Sequence, residues 1–361
     1  MTSLTEHLAQ RIQQEGKITF RDWMAEALYH PTLGYYNRSD LQRWGPKGDY
    51  RTSPERSDLF AATFARYFLT LRKQLDSDLT IVEIGGGNGK FALGVLSAVE
   101  RSAPELLNST NYFFVETGHD ACARASIELE RFSSVVHFSN LDALQPVEKG
   151  IVFSNELLDA FPVHRITSSG GTLKEFYVTC DEQCNFAWSI DEISSEVVLE
   201  FCREHLPPLR EDQIVEVNPA IAEWMKNINT LLRTGFLITI DYGTEAEDLY
   251  SDPNRQAGTL RGYSRHQFVE NILQTPGEND LTTTIDWTVV KSEGLKYGFE
   301  VEEFSQLDNF LMQKGVIDEL ELSLAAAASE AERSQITTTA REMILPTGMA
   351  ASFQVLVQTR D

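Results

Sequence analysis

At 361 residues the chain can bury a full core, either as one large domain with additions or as two domains. Its 42% apolar and 24% charged residues are ordinary for a globular protein. The formal charge of -23 argues against nucleic acid and anionic membrane surfaces as main partners, and leaves basic substrates or plain solubility as its use. Cys122, Cys180, Cys184 and Cys202 have no C-x-x-C spacing and no neighbouring His cluster, so no metal site and no disulfide framework is expected, and a reducing compartment is the default. The N-terminus has no apolar signal core, and Glu6 and Glu15 count against a transit sequence, so a cytoplasmic location is expected. No apolar run approaches transmembrane length, so no membrane insertion is expected either.

Residues 1–78 read as an N-terminal helical region with a lid loop. Leu4, Leu8 and Ile12 suit a first helix, and Phe20, Met24 and Leu28 a second that Thr19 caps and His30-Pro31 ends. The loop from Trp44 to Glu55 mixes Gly and Pro with aromatics, and its Gly48-Asp49 step is a candidate cover for a ligand. Ser57 is placed to cap the helix of Leu59, Phe60, Phe64 and Phe68.

Residues 79–361 read as an α/β domain. Thr80-Ile81-Val82-Glu83-Ile84 is a buried strand, broken by Gly85, Gly86, Gly87 and Gly89, after which a helical pattern starts at Lys90. Strand, glycine turn and helix open a nucleotide-binding sheet, with the ligand lying across the turn at the helix N-terminus. A dinucleotide fingerprint needs a third glycine where Lys90 stands, so Gly85-x-Gly87-x-Gly89 weakens nicotinamide binding, and no Lys-Ser/Thr pair supports a triphosphate. Glu83, just before the turn, suits a cationic ligand without phosphate, which describes S-adenosyl-L-methionine; a tight structural turn is the plain alternative. Strand two, 112–116, ends in Glu116, placed for ribose hydroxyls; strand three, 135–138, is followed by Asp142, placed for an adenine edge; strand four, 150–156, ends in Asn155-Glu156.

After Pro162 three short alternating runs, 163–166, 173–178 and 186–190, predict an antiparallel meander inserted at about 160–218. Asn218-Pro219 leads into a helix through Leu231, and Gly235 to Asp241 is strand five, again ending in an acid. A second insert at 244–289 is polar and irregular, and with the first forms a substrate-recognition subdomain. Helices follow at 290–298, 306–314 and 316–344, the last broken near Ser329, and a final strand lies at 352–357. Ligands of open α/β sheets sit beyond the carboxyl ends of the strands, so Glu83, Glu116, Asp142, Asn155, Glu156 and Asp241 are candidate site residues as a set, although each alone reads as a cap or a solvated acid. Glu156 and Asp159 lie three apart at a strand-to-helix junction and read as a carboxylate clamp for a planar guanidinium; in the plainer reading Asp159 caps a helix.

A series of segments then resembles the MidA-type proteins, related to the mitochondrial complex I assembly factor that is a protein arginine methyltransferase. It runs through Leu28-Tyr29-His30-Pro31, Gly45-Pro46-Lys47-Gly48-Asp49-Tyr50, Val82-Glu83-Ile84-Gly85-x-Gly87-x-Gly89, Asn155-Glu156-Leu157-Leu158-Asp159-Ala160-Phe161-Pro162, Ile240-Asp241-Tyr242-Gly243 and Pro276-Gly277-Glu278. Thr117-Gly118-His119-Asp120 departs from the family pattern, as do the residues after Glu55. The resemblance implies a class I, Rossmann-like S-adenosylmethionine-dependent methyltransferase fold and symmetric dimethylation of an arginine on a complex I subunit. Strand-end chemistry and the resemblance together place Glu83, Gly85, Gly87, Gly89, Glu116, Asp142 and Asn155, with Gly48 and Asp49, around the cofactor, and Glu156, Asp159 and Asp241 around the acceptor. A methyltransferase acting on a small molecule or another protein side chain, and a cofactor-binding assembly factor with little catalysis, are the rival readings.

Overall fold

The computed structural model describes residues 3–41, 43, 58–264 and 267–361. The chain divides into two compact units, one of Met1–Tyr50, Leu158–Met225 and Gly243–Glu293, the other of Arg51–Leu157, Lys226–Tyr242 and Gly294–Asp361.

The second unit is built on seven strands: β1 (Thr80–Ile84), β2 (Asn111–Val115), β3 (Val136–Ser139), β4 (Val147–Asn155), β5 (Leu232–Asp241), β6 (Glu300–Gln306) and β7 (Gln354–Arg360). They lie in the order β3-β2-β1-β4-β5-β7-β6. β7 runs antiparallel to both of its neighbours, and β1 to β5 are parallel. This is the doubly wound arrangement expected, with strand order reversing between β1 and β4, and the reversal opens a crevice at the carboxyl ends of those two strands. The central strands are near-continuous apolar runs because both faces are covered. On one face Phe64 and Phe68, from the helix Asp58–Leu75, pack on Phe91 and Phe153, and Phe91 stacks on Phe153 with ring centroids 4.3 Å apart.

β5 passes β4 where Gly235 faces Gly150. Gly235 has φ +139°, and an added Cβ would stand 2.0 Å from the Gly150 carbonyl oxygen. Gly235→Ala therefore combines a strained backbone with a clash against main chain. It is expected to destabilise the protein by about 3 kcal/mol in urea unfolding, whereas Gly170→Ala, with open space around its Cβ, is expected to cost less.

The C-terminal expectations hold in outline. Helices span Trp287–Lys296, Leu307–Gln313, Val316–Ala326 and Glu330–Ile344, and Ser329 caps the last by accepting from Glu332 N–H. Sequence reading passed directly from helix to helix where β6 stands. Its residues Glu-Val-Glu-Glu-Phe-Ser-Gln are largely exposed, and the charge that protects a sheet edge hides the alternation that would announce a strand.

The first unit carries the meander. His164–Ser169, Thr172–Cys180 and Phe186–Asp191 pair antiparallel in series, and Ile214–Val217 and Ile18–Thr19 extend the sheet. Its helices Leu4–Glu15 and Phe20–Tyr29 bury Leu8, Phe20, Trp23, Met24 and Leu28, and Thr19 caps the second by accepting from Asp22 N–H at 3.1 Å, as its position predicts. The segment expected to be irregular at 244–289 includes a small sheet in which Arg261–Ser264 pairs with Gln267–Phe268 and Asp280–Thr282.

Candidate active site

β1 delivers the chain into the glycine turn. Gly85, Gly87 and Gly89 have φ of +76°, +58° and +82°, a left-handed conformation that favours glycine. Gly85 and Gly86 both donate their N–H to the Val115 carbonyl, at 2.9 and 3.3 Å, which ties the turn to the end of β2. A Cβ on Gly86 would stand 2.2 Å from the Phe114 ring, and one on Gly89 would stand 2.9 Å from Ala125 Cβ. The turn therefore lies flat on the sheet, and Gly89 starts the helix Lys90–Ser102 without a side-chain cap. Lys90 N–H donates to Asn88 Oδ1 at 3.3 Å, and the N–H groups that follow it in the first turn are the ones a ligand could meet.

Glu116 follows β2 and clamps the turn from the side. Its Oε2 accepts from Gly87 N–H at 2.9 Å and its Oε1 from Gly118 N–H at 2.7 Å. Asp142 is exposed on a single turn, Leu141–Ala143, after β3. At the end of β4, Asn155 Nδ2 donates to Glu156 Oε1 at 3.1 Å, while its buried Oδ1 has no hydrogen-bond partner among the described residues. Glu156 has φ +52° and donates its N–H to the Ile240 carbonyl at 2.8 Å. A glutamate in the left-handed region stores of order 1 kcal/mol or more, which the surrounding strands must offset, and such strain gathers at functional sites. Asp241, wholly buried at the end of β5, accepts from Tyr242 N–H at 2.9 Å.

Glu83 lies one step inside the sheet. It is 4% exposed and accepts from the Tyr112 hydroxyl at 2.8 Å. Burial pushes its carboxyl from 4.5 up to about 8; the Tyr112 hydrogen bond opposes this and Glu116 adds to it. The sequence reading places the Glu83 carboxylate near a cationic ligand; without that cation, burial favours its protonated form. Between about 4.5 and about 8 the folded chain keeps a proton that the unfolded chain has released, so stability falls as pH rises through that window. Glu83→Gln is expected to remove up to about 1.4 kcal/mol of that fall per pH unit, read as a flatter curve of unfolding free energy against pH. An unchanged slope would contradict it.

The structure thus brings Glu83, Gly85, Gly87, Gly89, Glu116, Asp142, Asn155, Glu156 and Asp241 to one edge of one sheet. Asp159 lies in the other unit, buried in the turn Leu158–Ala160, where its carbonyl accepts from Thr283 N–H at 2.9 Å. The three-residue spacing that aligned it with Glu156 presumes a helix and does not apply, because Glu156 is left-handed. Gly48, Asp49 and the lid loop lie outside the described residues. Tyr112 and Leu157, whose Cδ1 stands 2.9 Å from where a Cβ of Gly85 would be, were missed, since only tertiary pairing reveals them.

The four cysteines are free. Two His/Glu groups gather, His7 with Glu26 and His30, and Glu204 with His205 and Glu293, their donor atoms within 4.8 Å of one another. In the second, His205 Nε2 lies 2.8 Å from Glu293 Oε1, a buried pair that accounts for the approach.

A doubly wound sheet with a glycine turn, an acid after β2 and further acids at the ends of β3 to β5 defines an S-adenosylmethionine-dependent methyltransferase. The chain belongs to the family described as "Putative S-adenosyl-L-methionine-dependent methyltransferase", whose model matches residues 63–305. It is similar to a protein arginine methyltransferase NDUFAF7, mitochondrial, of Danio rerio, 22% identical over 98% of this chain and 86% of that one. It is also similar to the Caenorhabditis elegans homolog, 24% identical over 92% of this chain and 81% of that one. The crystal structure of a Burkholderia thailandensis protein bound to S-adenosyl-homocysteine superposes with TM-score 0.87 at 25% identity, covering 99% of this chain and 92% of that one. The cofactor is S-adenosyl-L-methionine. The residues fit it: four glycines leave the turn bare of side chains except at Asn88, and Asn155, whose Oδ1 has no hydrogen-bond partner among the described residues, ends the strand that pairs with β1. The relatives are named mitochondrial, which lends no support to the cytoplasmic expectation. No helix among the described residues is long and apolar enough to cross a membrane.

Proposed function

We propose that this chain methylates arginine guanidinium groups of a protein acceptor, of the respiratory complex I subunit type, carrying the reaction to symmetric dimethylation. The observation that carries the reading is Glu156, held in a strained left-handed conformation at the end of β4, with its carboxylate tied to Asn155. The names of the relatives support the arginine acceptor.

The cofactor supplies a methyl group made electrophilic by its sulfonium. The chain must aim the acceptor nitrogen and exclude water. The turn from Gly85 to Gly89 offers its backbone to the cofactor, Glu116 its carboxylate to ribose hydroxyls, and Asp142 an acceptor to the adenine edge. A cation near Glu83 favours the ionised form of that carboxyl. Glu156 accepts from the guanidinium, orients it, and holds the proton released at nitrogen; Asp241 supports the acceptor side.

Incubation with tritiated S-adenosyl-L-methionine and protein lysate tests this. Label recovered in methylarginine after hydrolysis is the expected result. Label confined to small molecules, or cofactor binding without transfer, would overturn it in favour of a metabolite methyltransferase or a non-catalytic assembly factor.

A further inference from the structure

Parallel strands are normally joined across a sheet face by a helix. Lys90–Ser102 does this between β1 and β2, and His119–Glu128 between β2 and β3. From β3 to β4 the chain makes only the single turn Leu141–Ala143 within residues 140–146. A right-handed return from β3 to β4 crosses the face opposite those two helices. On that face a groove of about 780 Å³ runs over β3, β2 and the start of β1, and among the described residues no α-helix lines it.

Side-chain alternation along the strands explains its floor. Ile81, Tyr112, Phe114 and Val136 belong to the core beneath the two helices, so Thr80, Asn111, Phe113 and His137 fall on the other face. The rings of Phe113 and His137 lie side by side with centroids 5.3 Å apart, the first half-buried and the second exposed. Leu144 and Pro146, from the short connection, add an apolar wall. The rim is acidic: Asp78 and Glu148 are exposed, and neither has an ion-pair partner among the described residues. The groove's lysine, Lys149, is turned to the Leu75 carbonyl, to which it donates at 2.9 Å.

We propose that this groove docks a helix of another protein, apolar along one stripe and carrying lysine or arginine on its flanks. A helix about 10 Å across with a rise of about 1.5 Å fills roughly 120 Å³ per residue, so the groove takes roughly two turns. The apolar stripe covers Phe113, His137 and Leu144, as a crossover helix of the chain itself would. The flanking cations meet Asp78 and Glu148. A second copy of this chain is opposed by charge, because each copy carries -23 and a two-fold contact brings the same acids face to face.

The test is fluorescence anisotropy with the full chain and a labelled peptide of about 15 residues, since shorter helices are marginal in water. The peptide carries leucine at helix spacing and lysine elsewhere, and a second peptide with glutamate for lysine is the comparison. Saturable binding of the lysine peptide is expected, weaker by about tenfold or more in Phe113→Gln. Joint Asp78→Lys and Glu148→Lys substitution should weaken the lysine peptide and strengthen the glutamate peptide. Unchanged S-adenosyl-homocysteine affinity shows that both variants fold. Absence of saturable binding overturns the proposal, and so does lysine-peptide binding that Phe113→Gln leaves unchanged, which would be a general attraction to an acidic surface. A dimer in sedimentation that Phe113→Gln dissociates overturns it in favour of a second copy.

Discussion

Glu156→Gln is expected to lower kcat by about 10²- to 10⁴-fold, while S-adenosyl-homocysteine affinity changes less than about tenfold, or ~1.4 kcal/mol. The substitution keeps the shape of the side chain and its backbone conformation, including the N–H bond to the Ile240 carbonyl. It also keeps an oxygen able to accept from Asn155 Nδ2. What it removes is the charge that orients a guanidinium and the capacity to take its proton. Turnover and cofactor binding therefore separate if the carboxylate meets the acceptor. If both fall together, Glu156 holds the turn or the cofactor, and if neither falls the assigned role is wrong. Glu156→Gly is a useful partner, because glycine relieves the strain at φ +52°. It should be more stable toward urea than Glu156→Gln and equally inactive.

The second large effect belongs to Glu116. Its two oxygens hold Gly87 and Gly118 N–H, and the same carboxylate is assigned to the ribose. A hydrogen bond to a charged group contributes roughly 1.5–3 kcal/mol, so Glu116→Ala is expected to weaken S-adenosyl-homocysteine binding roughly 10- to 150-fold. It also leaves two backbone donors without their acceptor, so the melting temperature should fall. Glu116→Gln keeps one acceptor oxygen and should lie between wild type and Glu116→Ala in both measurements. Calorimetry reads the affinities directly. An Ala variant that melts lower but binds the ligand normally would confine Glu116 to bracing the turn.

Much of the cofactor side was legible from local pattern. A β-branched apolar run broken by four glycines signals the β1 turn, because backbone conformation at glycine is a local matter. Acids or amides after later apolar runs mark strand ends for the same reason, and Thr19 and Ser329 announce the helix starts that they cap. The features that escaped depend on distant residues. The Glu83 carboxyl looks like a free charge until Tyr112, 29 positions away, is seen to donate to it in a buried setting. Glu156 gives no sign of positive φ, since helix spacing appears to carry it into register with Asp159. β6 hides its alternation under edge charges. Asn218 reads as a turn residue before Pro219, and only the folded first unit shows its side-chain amide buried without a hydrogen-bond partner among the described residues.

The central claim is that the carboxyl ends of β1 to β5 form the cofactor crevice, with Glu156 facing the sulfur. A crystal structure of the complex with S-adenosyl-homocysteine tests it most directly. The account predicts ligand density across Gly85 to Gly89, ribose hydroxyls on Glu116, adenine beside Asp142, and sulfur toward Asn155 and Glu156. Ligand density away from that edge, or bound there with its sulfur turned from Glu156, would contradict it.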